Sequence, residues 1–197
     1  MRADPGQAVW GGSSPAEDAY DAYRDKMETS PYHELRSTMT RIRHSSVFPC
    51  SAEALFDFHR NAENLGRLSP PGQTFRMLSE TKATEMGDLQ RFEIGLGPLT
   101  TQWLAEITMF DPPRLLEDVQ LSGPFRRWRH QHQVETEGDG SRLTDVVAFR
   151  LIPTFPGEFL EYLLVRPVVL AMFAWRHRKT RQLLAERAID GPRIGVG

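Results

Sequence analysis

The sequence predicts an α+β fold in which a curved antiparallel sheet holds a long C-terminal helix across its concave face. Three observations predict it. A first strand is followed by two short helices, then strand-length segments recur at short spacing, and a helical region closes the chain from about Gly157 to Ala188. Helices kept apart from a run of strands, rather than alternating with them, argue for α+β and against a parallel α/β sheet.

The elements follow in order. Residues 1–36 carry Gly11-Gly12-Ser13-Ser14-Pro15 and an acidic segment, Ala16 to Met27, without a sustained hydrophobic period. They are expected to form a loosely packed extension. The domain (37–189) starts with a strand over Ser37 to Phe48, which Pro49-Cys50-Ser51 breaks. Ser51 is placed to cap a helix over Ala52 to His59, with Glu53 in its first turn. Asn61 can cap a second short helix holding Leu65 and Leu68, ended by Pro70-Pro71. Strands are then expected over Thr74 to Glu80, Asp88 to Leu96, Thr100 to Phe110 and Leu115 to Leu121, followed by one through Trp128 and one over Ser141 to Ile152. Pro167 fits a first helical turn but not an interior, so a short helix around Glu158 to Leu164, a kink and a long helix from Pro167 are expected. Residues 190–197 are expected to form a tail.

Bulk properties narrow the function classes. A chain of 197 residues with 25% charged and 40% hydrophobic residues can bury one substantial core. Its net charge of −2 creates no field that would draw it to nucleic acid or an anionic membrane. The basic positions Arg126, Arg127, Arg129, Arg176, Arg178, Lys179, Arg181 and Arg187 lack interleaved aromatic platforms and are read as a solvated face, with no nucleic-acid partner. A lone cysteine, Cys50, excludes an internal disulfide and a Cys-based zinc site. The N-terminus lacks the apolar region of a signal peptide. The apolar run from Leu163 to Trp175 is interrupted by Arg166 and Pro167, short of the roughly 20 residues of a membrane span. A cytoplasmic protein without stable membrane insertion is expected.

The most informative stretch runs from Gly123 to Val134. Trp128, His130, His132 and Val134 share one parity, and Arg127, Arg129, Gln131 and Gln133 the other, so the segment is a strand with a shielded and a wet side. In the next strand the odd positions Leu143, Asp145, Val147, Phe149 and Leu151 are the more apolar set. Turning both sets inward through Gly138-Asp139-Gly140 pairs Val134 with Leu143, His132 with Asp145, His130 with Val147 and Trp128 with Phe149. A slip by one would bury Arg150 and expose Phe149. Two histidines and a carboxylate on a shielded face support three readings. They are a self-satisfied internal pair, polar groups that orient a mainly apolar ligand, or chemistry. Chemistry here means a His132–Asp145 general acid/base pair, or a metal held by His130, His132 and Asp145. His-x-His spacing is weakly specific, and no metal is expected.

Several features together resemble one family. They are the strand leading through Pro49 into Ala52 to His59, the segment Asn64-Leu65 to Pro70-Pro71, and Gly123-Pro124-Phe125 with Trp128-x-His130-x-His132. Thr144-Asp145 and the closing Phe173-Ala-Trp-Arg176-His177-Arg-Lys-Thr180 complete the set. Over about Thr38 to Ala188 the chain resembles the SRPBCC superfamily (START/Bet v 1-like, polyketide cyclase/dehydrase-like), in its bacterial uncharacterised ligand-binding branch. The resemblance implies a helix-grip fold: a seven-stranded antiparallel sheet around the C-terminal helix, with an apolar cavity between them suited to lipids, isoprenoids or polyketides and needing no cofactor. Phe92, Trp103, Trp128, His130, His132, Asp145, Phe149, Met172 and Phe173 are the candidate lining residues. A cyclase or dehydratase using His132 and Asp145 as catalytic residues is the alternative, and a protein-interaction module with a closed core is the second.

Overall fold

A computed structural model describes residues 39–79, 84–151, 159 and 161–190. The expected extension (1–36) and all of the expected tail beyond Asp190 lie outside the described residues, as does the segment leading up to residue 159. The chain runs β1 (Thr40–Phe48), α1 (Ala52–Arg60), α2 (Glu63–Arg67), β2 (Gln73–Met77), β3 (Leu89–Leu96), β4 (Leu99–Asp111), β5 (Leu115–Ser122), β6 (Arg127–Glu137) and β7 (Gly140–Arg150), and ends in α3 (Arg166–Asp190). The seven strands form one antiparallel sheet in the order β1-β7-β6-β5-β4-β3-β2. Register shifts between Leu104 and Ala105 and between Ile107 and Met109 interrupt the β4–β5 ladder. Such bulges bend a strand and raise its twist, which helps the sheet curl.

Local signals explain the elements. The Ala54 N–H donates to the Ser51 hydroxyl at 3.2 Å, which is the expected cap of α1. Ala52, Leu55 and Phe56 recur at helical spacing and pack with Phe48, Ile107, Leu116, Val134 and Leu143. At α2 the Asn61 side chain accepts from the Glu63 N–H at 3.0 Å. The β6–β7 hairpin has the register that parity requires, Trp128 opposite Phe149, His130 opposite Val147, His132 opposite Asp145 and Val134 opposite Leu143. Two glycines shape its surroundings. Gly138 has φ +57°, which other residues adopt at a cost, and a Cβ at Gly140 would overlap the Phe48 carbonyl oxygen.

The main core lies between the concave face and α3. Ile42, Phe92, Trp103, Ala105, Trp128, Val147 and Phe149 from five strands meet Val169 and Phe173 of α3. Each fully buried large apolar side chain contributes on the order of 1.5–3 kcal/mol. No helix of the described residues is long and apolar enough to cross a membrane.

Two expectations are refined. The expected short helix before α3 takes the form of a π-helical turn, Glu161–Val165, which runs directly into α3. Pro167 is the second residue of α3, a first-turn position it tolerates, and the irregularity takes the form of a π turn. The outward parity of β6 is also less wet than alternation suggests. Arg127, Arg129, Gln131 and Gln133 are all partly buried. Arg129 and Gln131 each donate to Oε2 of the fully buried Glu117 at 2.6 Å, and Thr108 donates to its Oε1 at 2.8 Å. Long polar side chains converging on one carboxylate shield it from water, and Arg150 is buried in the observed register as well.

Candidate functional site

Asp145 sits mid-way along β7, a strand paired on one side with β1 and on the other with β6. Inward parity on β6 therefore brings His130 and His132 to it, and α3 crossing the concave face adds His177. The His130 Nε2–H reaches Asp145 Oδ1 at 3.0 Å, and the His177 Nε2–H reaches Oδ2 at 2.7 Å. His132 Nδ1 lies 2.6 Å from Oδ1, but off the direction that a ring N–H needs for a hydrogen bond. The other nitrogen of His130, Nδ1, faces Asp118 Oδ2 on β5 at 3.1 Å. His59 of α1 packs on His132 with ring centroids 4.8 Å apart, and His44 of β1 meets His177 edge-on at 4.5 Å. Five of the chain's six histidines thus join one cluster around one carboxylate.

Charge is distributed unevenly within it. Burial pulls His130 down, yet hydrogen bonding and charge from Asp118 and Asp145 overcome this and push it up to about 9. With a carboxylate at each ring nitrogen, His130 is a buried imidazolium. Burial and the neighbouring His130 lower His132, and burial with the neighbouring His132 holds His59 well below the ordinary imidazole value. Burial would raise Asp145, but the adjacent His132 and hydrogen bonds from the surrounding imidazoles keep its carboxyl well below the usual range.

Beside the cluster lies a cavity of about 300 Å³, walled by the sheet, α1, α2 and the start of α3. Of the expected lining residues, Phe92, Trp103, Trp128, His130, His132, Asp145 and Met172 border it. Phe149 and Phe173 do not; both are fully buried in the core behind the wall, where Phe149 packs on Phe125 and Trp128, and Phe173 on His130. The cavity wall also holds His59, Asp118 and Arg176, none of which was expected there. Arg176 corrects the reading of the basic helix positions as a uniformly solvated face. A signal for its neighbour was available: Val169, Phe173, His177, Thr180 and Leu183 are all buried and recur every three or four residues, so His177 belongs to the helix's buried stripe.

The arrangement has identifiable chemical capacities. His132 is neutral at neutral pH, borders the cavity with 15% of its side chain exposed, and has a carboxylate behind it, so it can accept a proton from a bound molecule. Asp118, His130 and His132 place donor atoms within 4.8 Å of one another, a different set from the His130–His132–Asp145 triad read from spacing. A metal there would have to displace the proton that His130 shares with Asp118.

A curled antiparallel sheet gripping a C-terminal helix beside an apolar cavity defines a helix-grip protein, a fold that binds hydrophobic ligands. The chain belongs to the family described as polyketide cyclase/dehydrase and lipid transport, which matches residues 48–173. No curated protein is detectably similar in sequence. Solved structures share the fold. A Thermus thermophilus protein superposes with TM-score 0.60 at 17% identity, over 75% of this chain and 99% of its own. A Chromobacterium violaceum protein gives 0.58 at 14% identity, over 73% and 96%. The major latex-like protein 151 of Panax ginseng gives 0.51 at 11% identity, over 74% and 97%.

Proposed function

We propose that the protein binds and carries a small hydrophobic molecule, such as a lipid, isoprenoid or polyketide-like compound, in the cavity between its sheet and α3. One observation carries this reading: the cavity is walled mainly by apolar and aromatic side chains, with its ionisable groups on the wall including Asp145, His130 and His132. Its volume of about 300 Å³ sits at the small end of the roughly 300–1,000 Å³ common for ligand sites. Aromatic walls supply most of the binding energy to such a ligand, and a few polar groups orient it.

Native mass spectrometry of the purified protein, followed by identification of whatever denaturation releases, tests the proposal. An apolar molecule at one per chain is expected. Ala105, which is buried and borders the cavity, offers the matching control. Ala105→Phe fills the space and should remove the bound molecule, at a stability cost of about 1–3 kcal/mol. Retention of the ligand by a folded Ala105→Phe variant would place binding elsewhere. Conversion of the released molecule on incubation with the protein, lost in His132→Ala, would replace carriage by cyclase- or dehydratase-type catalysis.

A further inference from the structure

Among the described residues Arg176 is the one arginine or lysine that borders the cavity, and its position is unusual. It is partly buried, stacks over the Phe173 ring at 5.4 Å, and makes no hydrogen bond or ion pair with any described residue. A guanidinium carries five donors and no acceptor, so leaving it unpaired in a cavity wall is costly. Burial lowers its pKa, while Asp145 and Asp118 act at a distance in the opposite direction.

Neither carboxylate pairs with it. Asp145 presents both oxygens to imidazoles, and Asp118 Oδ2 faces the imidazolium of His130. Three further wall residues have buried nitrogens without a hydrogen-bond partner: Trp103 Nε1, which can only donate, His59 Nε2, and His132 Nδ1, which lies beside Asp145 Oδ1. The remaining unpartnered polar atom on the wall is an uncharged acceptor, Gln73 Oε1 on β2. With Asp118 and Asp145 ionised and His130 and Arg176 charged, the cluster is close to neutral, so a single negative charge can enter without meeting a net negative wall.

We infer that the ligand is an amphipathic anion, an apolar body ending in a carboxylate, and that Arg176 is the residue that binds its charged end. This rests on the cavity being the ligand site. The apolar body lies among Phe92, Trp103 and Trp128, and the carboxylate takes the place of the partner that no described residue supplies to Arg176. Charge-assisted, two-pronged hydrogen bonding is the geometry at which arginine excels.

The test uses phenylnaphthylamine, an uncharged probe that fluoresces when sheltered from water, displaced by decanoate or by decanol. These competitors share a chain and differ in the head group. Wild-type protein should prefer decanoate by about 10- to 100-fold, the scale of a hydrogen bond to a charged group. Arg176→Met, which keeps the length and loses the charge, should bring decanoate down to the level of decanol. Arg176→Lys should restore part of the preference. A wild-type protein that binds decanol as well as decanoate overturns the inference, and this comparison holds even if the variants do not fold. Persistence of the preference in folded Arg176→Met also overturns it. Failure of the uncharged probe to bind wild-type protein would reject the cavity as a ligand site, and with it both proposals.

Discussion

Asp145 is the residue on which the interior depends. Three imidazoles surround its buried carboxylate, and one of them, His130, is held as a cation between it and Asp118. Taking one partner from a buried ion pair leaves the other charge without compensation, at a cost of about 3–5 kcal/mol. Asp145→Asn keeps the shape and removes the charge, so it should lose about that much stability. Urea unfolding would show this as a lower midpoint with an unchanged slope. A midpoint close to wild type would mean that Asp118 alone compensates the cluster.

Among the elements, the β6–β7 hairpin carries most of the site, and two glycines near its turn have different tasks. Gly138 has a positive φ with open space where a Cβ would lie, whereas Gly140 is packed against the backbone at the end of β1. Asparagine tolerates the left-handed region, so Gly138→Asn should cost only a few tenths of a kcal/mol to about 1 kcal/mol. Gly140→Ala requires the β1 backbone to move and should cost about 1–3 kcal/mol. Thermal melting of the two variants compares them directly; equal losses would show that the approach of β1 to the turn is not tight.

For the whole molecule, the histidine cluster dictates how stability varies with pH. His130 is pushed from 6.5 up to about 9, so its contribution is complete below 6.5 and is lost as pH rises through 9. His59 and His132 are lowered, so their neutral forms are accommodated above 6.5, and stability falls as acid protonates the unfolded chain below 6.5. Stability should therefore peak near 6.5. The alkaline limb should fall by about 1.4 kcal/mol per pH unit, and the acid limb should be steeper because two groups act together. Asp145 adds its own loss only once pH drops below 3.8. Denaturant unfolding across pH 5 to 10 is the check, and a profile flat between about 7 and 9 would show that His130 is not a buried cation.

Period-two alternation, a serine cap, and glycine and proline turns were enough to place seven strands and two short helices, and to set the β6–β7 register with His132 opposite Asp145. These signals act between near neighbours in the chain, and a strand's parity settles which face each side chain takes. The same local reading could place His177 on the buried stripe of α3 but could not name its partner, because Asp145 lies 32 residues earlier and meets it only after the sheet curls around the helix. Asp118, His59 and Arg176 reach the site in the same way, from β5, α1 and α3. Alternation also marked the far side of β6 as wet, where packing instead buried Glu117 beneath Arg129 and Gln131. The sequence by itself determined the elements, their inward faces and one hairpin, since those follow from local geometry. Which polar groups share the interior, and that an arginine stands among them with no partner among the described residues, was decided by the tertiary structure, because only long-range packing sets what lies across a cavity.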